Sequence, residues 1–79
     1  MSVRILFFGA TAAATDNREI VINENGFSNV SSIIDELIET YPRLTSHKLL
    51  CSINHQYATS DDPVRDGDEI AIFTAVSGG

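Results

Sequence analysis

Residues 29–42 read Asn-Val-Ser-Ser-Ile-Ile-Asp-Glu-Leu-Ile-Glu-Thr-Tyr-Pro. Val30, Ile33, Ile34, Leu37, Ile38 and Tyr41 recur at the spacing of one face of a 3.6-residue helix. Asn29 is suited to cap the first turn, and Pro42 to stop the last. Ser31, Ser32, Asp35, Glu36, Glu39 and Thr40 fall on the opposite face. Burying each of the six apolar side chains is worth roughly 1.5–3 kcal/mol before chain entropy is set against it. The helix is therefore half of a core and needs a sheet to lie on. Its outer acids read as a solvated face.

The flanks supply that sheet. Residues 3–8, Val-Arg-Ile-Leu-Phe-Phe, form a β-branched and aromatic run bounded by Gly9, which reads as a strand. Residues 9–17 hold several alanines and no apolar periodicity, and read as a loop. Residues 18–22 make a second strand, closed by the Asn23-Glu24-Asn25-Gly26 turn. Beyond the helix, residues 48–53 make a third strand, Asn54-His55 a tight turn, and residues 56–58 a short fourth strand. Ser60-Asp61-Asp62-Pro63 is a loop. Val64-Arg65-Asp66-Gly67-Asp68 turns the chain, with glycine where a positive φ is wanted, and residues 69–74 are the last strand. Two strands, one helix and three strands predict an α+β fold: a mixed β-sheet with one main helix packed on one face.

Such a sheet leaves its other face uncovered, so alternation assigns side chains to it. In the first strand Val3, Ile5 and Phe7 oppose Arg4, Leu6 and Phe8. In the last, Ile70 and Ile72 oppose Ala71 and Phe73. Arg4, Phe8 and Phe73 are assigned to the open face, with Tyr57 joining them. Two readings of these rings stay open: cover by a loop or bulge, or an aromatic patch for a protein partner.

The chain has 79 residues, enough for one domain, and 43% apolar content with 20% charged marks it as globular. Eleven acids against five bases give a net charge of −6. Arg4, Arg18, Arg43, Lys48 and Arg65 are scattered, which argues against nucleic-acid binding; an acidic surface suits a partner with a basic face. A lone cysteine forms no internal disulfide. Cys51 lies in an apolar run and reads as a small buried hydrophobe, the alternative being a reactive thiol. No stretch reaches transmembrane length, so no membrane association is expected, and the setting is read as cytoplasmic.

The body offers little chemistry. Gly9 and Gly26 are isolated and form no nucleotide loop. His47, His55 and Cys51 do not match a zinc spacing, so no metal is expected. Asp61-Asp62 and Asp66-Gly67-Asp68 read as turn residues. The distinctive group is at the end, where the sequence finishes Val76-Ser77-Gly78-Gly79. A diglycine presents a carboxylate with no flanking side chains, able to thread a narrow channel. Residues 1–73 are read as the folded domain and residues 74–79 as a flexible tail.

Three segments resemble the small sulfur-carrier subunits of molybdopterin synthase, within the ubiquitin-like sulfur-carrier family. They are residues 3–8, the run Lys48-Leu49-Leu50-Cys51-Ser52-Ile53-Asn54, and the close Asp66-Gly67-Asp68-Glu69-Ile70-Ala71-Ile72-Phe73 followed by Val76-Ser77-Gly78-Gly79. The resemblance covers the whole chain. It implies a ubiquitin-like β-grasp with the first and last strands paired in parallel at the sheet centre. It also implies a chemistry in which no cofactor is bound by the chain itself. An ATP-dependent adenylyltransferase, similar to ubiquitin-activating enzymes, joins Gly79 to AMP. Sulfur from a sulfur-donating enzyme then replaces AMP to leave a thiocarboxylate. That group enters the large catalytic subunit of the synthase, in a heterotetramer, and donates sulfur to cyclic pyranopterin monophosphate in molybdenum cofactor biosynthesis. Gly79 is then the reacting residue, Val76, Ser77 and Gly78 the inserted tail, and Phe8, Tyr57 and Phe73 the partner interface. Two departures stand out: Thr74-Ala75 where the family often has Pro-Pro, and no arginine in residues 9–14. They leave open a sister function: a carrier for the thiamine thiazole, for transfer-RNA thiolation or for a tungsten-pterin pathway, or a ubiquitin-like protein modifier.

Overall fold

A computed structural model describes residues 2–23 and 29–75. The elements run β1 (Ser2–Phe7), α1 (Ala10–Thr15), β2 (Glu19–Asn23), α2 (Val30–Thr40), a 3₁₀ turn (Pro42–Ser46), β3 (Leu49–Ile53), β4 (Gln56–Ala58) and β5 (Glu69–Thr74). The five strands form one sheet in the order β2-β1-β5-β3-β4. β1 and β5 run parallel at its centre, with Ile5 opposite Ile70 and Phe7 opposite Ile72. The other pairs are antiparallel. The expected mixed sheet is present, as is the parallel central pair.

Alternation fills the core. Val3, Ile5 and Phe7 of β1 and Ile70 and Ile72 of β5 are buried against Val30, Ile33 and Leu37 of α2. Ile34, Ile38 and Tyr41 border that cluster, partly buried. α2 begins as its sequence predicts: the Asn29 side chain accepts a hydrogen bond from the Ser32 amide at 3.0 Å. At its other end the Tyr41 amide donates to Leu37 O. α2 stops just before Pro42, as expected, with Tyr41 out of helical geometry at φ −126° and ψ 80°. Pro42 then opens a separate 3₁₀ turn, which buries Leu44 completely. The Tyr41 ring meets Phe7 edge-on, centroids 6.0 Å apart.

One expectation is corrected. Residues 9–17 are not a loop throughout, since they contain α1. Six residues are too few for a stable isolated helix. Its buried positions are Thr11 and Thr15, one turn apart, so the stripe that faces the core is polar and leaves no apolar period to read. The hydroxyls replace apolar burial with hydrogen bonds: Thr15 Oγ1 donates to Thr11 O at 3.0 Å, and Thr11 Oγ1 reaches Ile72 O of β5 at 2.7 Å.

The turns follow their residue types. Asn54 and His55 both adopt positive φ, as a two-residue hairpin linking right-twisted strands requires. Gly67 sits at φ 85°, and its amide donates to Ser2 O at 2.7 Å. The Asp66 carboxylate accepts from the Ser2 amide at 2.6 Å. Asn54 Oδ1 accepts from the Glu69 amide, while Asn54 Nδ2 donates to Asp68 Oδ1, each at 3.0 Å. The Asp-Gly-Asp segment thus ties the start of β1 to the start of β5. Part of the Asn23-Glu24-Asn25-Gly26 turn lies outside the described residues.

Candidate docking face and the root of the tail

Away from α2 the sheet presents Arg4, Leu6, Glu69, Ala71, Ser52 and Phe73. The register sets Leu6 opposite Ala71, Ala71 opposite Ser52, and Ser52 opposite Tyr57. This row runs across four strands. Small side chains at its middle and rings around them make the surface concave. The resulting groove, of about 300 Å³, is lined by Leu6, Phe8, Ser52, His55, Glu69, Ala71 and Phe73.

The structure brings together the three rings singled out from the sequence. Phe73 lies 5.9 Å from Tyr57, centroid to centroid. Phe8 and Phe73 both line the groove. Phe8 is 52% exposed and Tyr57 85%, so no loop among the described residues covers either ring. Two wet aromatic rings beside a groove form the type of surface that becomes the core of a protein–protein interface.

The end of the face toward the β1 N-terminus is charged. Arg4 lies 3.4 Å from both Glu19 of β2 and Glu69 of β5, and His55 Nε2 lies 3.7 Å from Glu69. Exposed pairs of this kind contribute little to stability. Their effect is on orientation, because a charged strip beside an apolar groove admits a partner in one register. Sequence reading placed Arg4 on this face but not Glu19, Glu69 or His55. Alternation set Ala71 on the face of Phe73, but not Ser52, the other floor residue. The period-2 pattern was available for Glu69 and Ala71; the cross-strand register was not.

The tail-insertion residues Val76, Ser77 and Gly78 and the reacting residue Gly79 lie outside the described residues. The chain approaches them along β5. Phe73 pairs with Leu50 and Thr74 with Leu49, and the exposed Ala75 follows. Phe73 therefore lies in the last described strand, three residues before Val76 in the sequence.

Cys51 is buried, as its apolar surroundings implied. Its thiol donates weakly to Ala58 O at 3.6 Å. Burial pushes the thiol pKa up, and the Asp62 carboxylate pushes it further. A buried protonated thiol is a poor nucleophile. Because the folded pKa is raised, the unfolded chain loses the proton first as pH rises past the ordinary thiol range. Stability then falls. Denaturant titrations at neutral and alkaline pH should show a steeper alkaline loss in the natural chain than in Cys51→Ala; equal losses would contradict this.

Among the described residues no three His, Cys, Asp or Glu side chains group to hold a metal. Nor, among those residues, is any helix long and apolar enough to cross a membrane.

Comparison with known proteins places this geometry. A sequence model of the ThiS family matches residues 5–79. The molybdopterin synthase sulfur carrier subunit of Mycobacterium tuberculosis is 36% identical, with 100% of this chain and 99% of that protein covered. The crystal structure of SAMP1 from Haloferax volcanii is 25% identical with a TM-score of 0.85, covering 100% of both chains. A chain in a solved complex of subunits 1 and 2 of molybdopterin-converting factor from Helicobacter pylori shares the fold, with a TM-score of 0.69 at 21% identity and 100% of both chains covered. The fold is the ubiquitin-like β-grasp. With a family match over nearly its whole length and a full-length relative at that identity, the chain belongs to the ThiS family, as its resemblance to the ubiquitin-like sulfur carriers implied.

Proposed function

We propose that this protein is the sulfur-carrier subunit of a molybdopterin synthase. The observation that supports this best is that the aromatic face includes Phe73 of β5, the last described strand, and Gly79 follows Phe73 six residues later in the sequence. The full-length likeness to a carrier of that name points the same way.

The chemistry explains the tail. A carboxylate is a poor acyl donor, because its leaving group would be oxide. In the proposed sequence a Gly79 carboxylate oxygen attacks the α-phosphorus of ATP on an adenylyltransferase, and pyrophosphate leaves. Hydrosulfide released by a sulfur-donating enzyme then attacks the acyl carbon, the carbon–oxygen bond to AMP breaks, AMP departs and a proton is lost, leaving a thiocarboxylate. The face carrying Phe8, Tyr57 and Phe73 docks on the large subunit, and Val76, Ser77 and Gly78 extend into its pocket. There the thiocarboxylate sulfur attacks cyclic pyranopterin monophosphate, and water returns the carboxylate. Acids and bases come from the large subunit. The carrier contributes the nucleophile and its confinement, which raises the effective concentration. ATP is a substrate of the activating enzyme. All these steps are placed in the cytoplasm.

Intact-mass measurement tests this. After incubation with activating enzyme, ATP and a sulfur source, the mass should rise by the exchange of one oxygen for one sulfur. Addition of large subunit and cyclic pyranopterin monophosphate should reverse the gain. An unchanged mass would overturn the reading. The likeness to an archaeal modifier protein favours a second reading, a protein modifier, whose signature would be a ladder of conjugates.

A further inference from the structure

We propose that Thr11 is a positioning residue for the tail: its hydroxyl fixes where β5 leaves the sheet relative to the docking ring of Phe8. The proposal rests on the sulfur-carrier reading above. Thr11 is fully buried in α1. Its Oγ1 lies 2.7 Å from Ile72 O, 2.9 Å from Phe8 O and 3.0 Å from the Phe8 amide nitrogen. A hydroxyl has one proton to give. The shortest contact assigns it to Ile72 O, while the oxygen accepts from the Phe8 N–H. The Phe8 N–H also lies 3.1 Å from Ile72 O. One side chain therefore joins the backbone bearing the Phe8 ring to the carbonyl just before Phe73.

The position in the sheet makes this tie matter. The β1–β5 register ends at Phe7 opposite Ile72. Phe73 and Thr74 continue β5 with β3 as their strand neighbour, opposite Leu50 and Leu49. On the β1 side the last recorded bonds to β5 are those at Ile72 O. Sulfur is delivered from the far end of the tail, so a change in direction at its root is carried to the reacting atom. A misplacement of about 1 Å can cost on the order of a hundredfold in rate.

Thr11→Val separates this role from a structural one. Valine has nearly the same shape, and Ile72 O and the Phe8 N–H keep each other as partners. We expect the synthase reconstituted with this variant to lose about tenfold in kcat, with KM for the carrier within about twofold. Thr11→Ser should restore kcat. The Thr11→Ser and Thr11→Ala pair, which differ by the hydroxyl alone, carries the same comparison if valine does not fit. A natural kcat in Thr11→Val and Thr11→Ala, a loss confined to KM, or no rescue by serine overturns the proposal. Amide hydrogen exchange provides a readout independent of sulfur. In Thr11→Val, Phe8 and Phe73 should exchange faster while Ile5 and Ile70 are unchanged, and unaltered exchange at Phe8 and Phe73 also overturns the proposal. The natural chain's failure to gain sulfur mass would instead refute the carrier reading, so the two failures are distinct.

Discussion

A chain shortened by Gly79 should melt at the same temperature as the full chain and transfer no measurable sulfur. Among the described residues the buried apolar cluster lies between Val3 and Ile72, and a glycine has no side chain to add to it. The proposed chemistry, by contrast, depends on Gly79. Removing one residue withdraws the carboxylate by about 3.5 Å of extended chain. Reacting groups must approach within about 3–3.5 Å, so that shift takes the sulfur out of reach, a loss of at least a hundredfold at roughly 1 Å per hundredfold. Gly78→Ala should act in the same direction, because the proposed insertion into the large subunit's pocket calls for close backbone approach that a methyl group would obstruct. Single-turnover sulfur transfer to cyclic pyranopterin monophosphate measures both variants, beside thermal unfolding. Ordinary transfer by the shortened chain would refute Gly79 as the reacting residue, even if the fold and the partner are as described.

Phe73→Ala should weaken binding to the large subunit by about 2 kcal/mol, near thirtyfold in Kd, since aromatic anchors at the centre of an interface carry losses of that size. Its effect on folding should be smaller. Phe73 is only half-buried, and its ring packs on the exposed Tyr57. Losing that pair is worth roughly 0.5–1.5 kcal/mol beyond the area involved. Calorimetric titration against the large subunit, paired with denaturant unfolding, separates the two effects. Phe8→Ala and Tyr57→Ala should move affinity in the same direction. An affinity for Phe73→Ala equal to that of the natural chain would remove this face as the docking surface. The charged strip of Arg4, Glu19, Glu69 and His55 borders the same groove, so salt should slow association more than it speeds dissociation.

The residues that matter for these results differ in how visible they were beforehand. Phe8 and Phe73 could be placed from alternation, with Tyr57 added to them, and Phe73 packs on Tyr57 while Phe8 and Phe73 line one groove. Alternation also sets Ala71 on the face of Phe73, but it does not say what stands beside it. Ala71 and Ser52 become neighbours through the antiparallel pairing of β3 and β5, and nothing in either segment states that register. The Arg4 pairs have the same origin, needing β2, β1 and β5 side by side. Thr11 was hidden for another reason. A threonine among alanines has no apolar signature, and its hydrogen-bond partner Ile72 lies 61 residues away.

The chain's own spacing was enough to determine α2, the strands, the sense of each face, the tight turns at Asn54-His55 and Gly67, and the burial of Cys51. Each depends on side-chain period or on the φ of single residues, and both are local properties. Tertiary structure alone decided α1, the 3₁₀ turn that buries Leu44, the groove with its charged border, and the hydroxyl that ties Phe8 to β5. These depend on which distant backbone groups meet, and that is set by the packing of the whole sheet against α2.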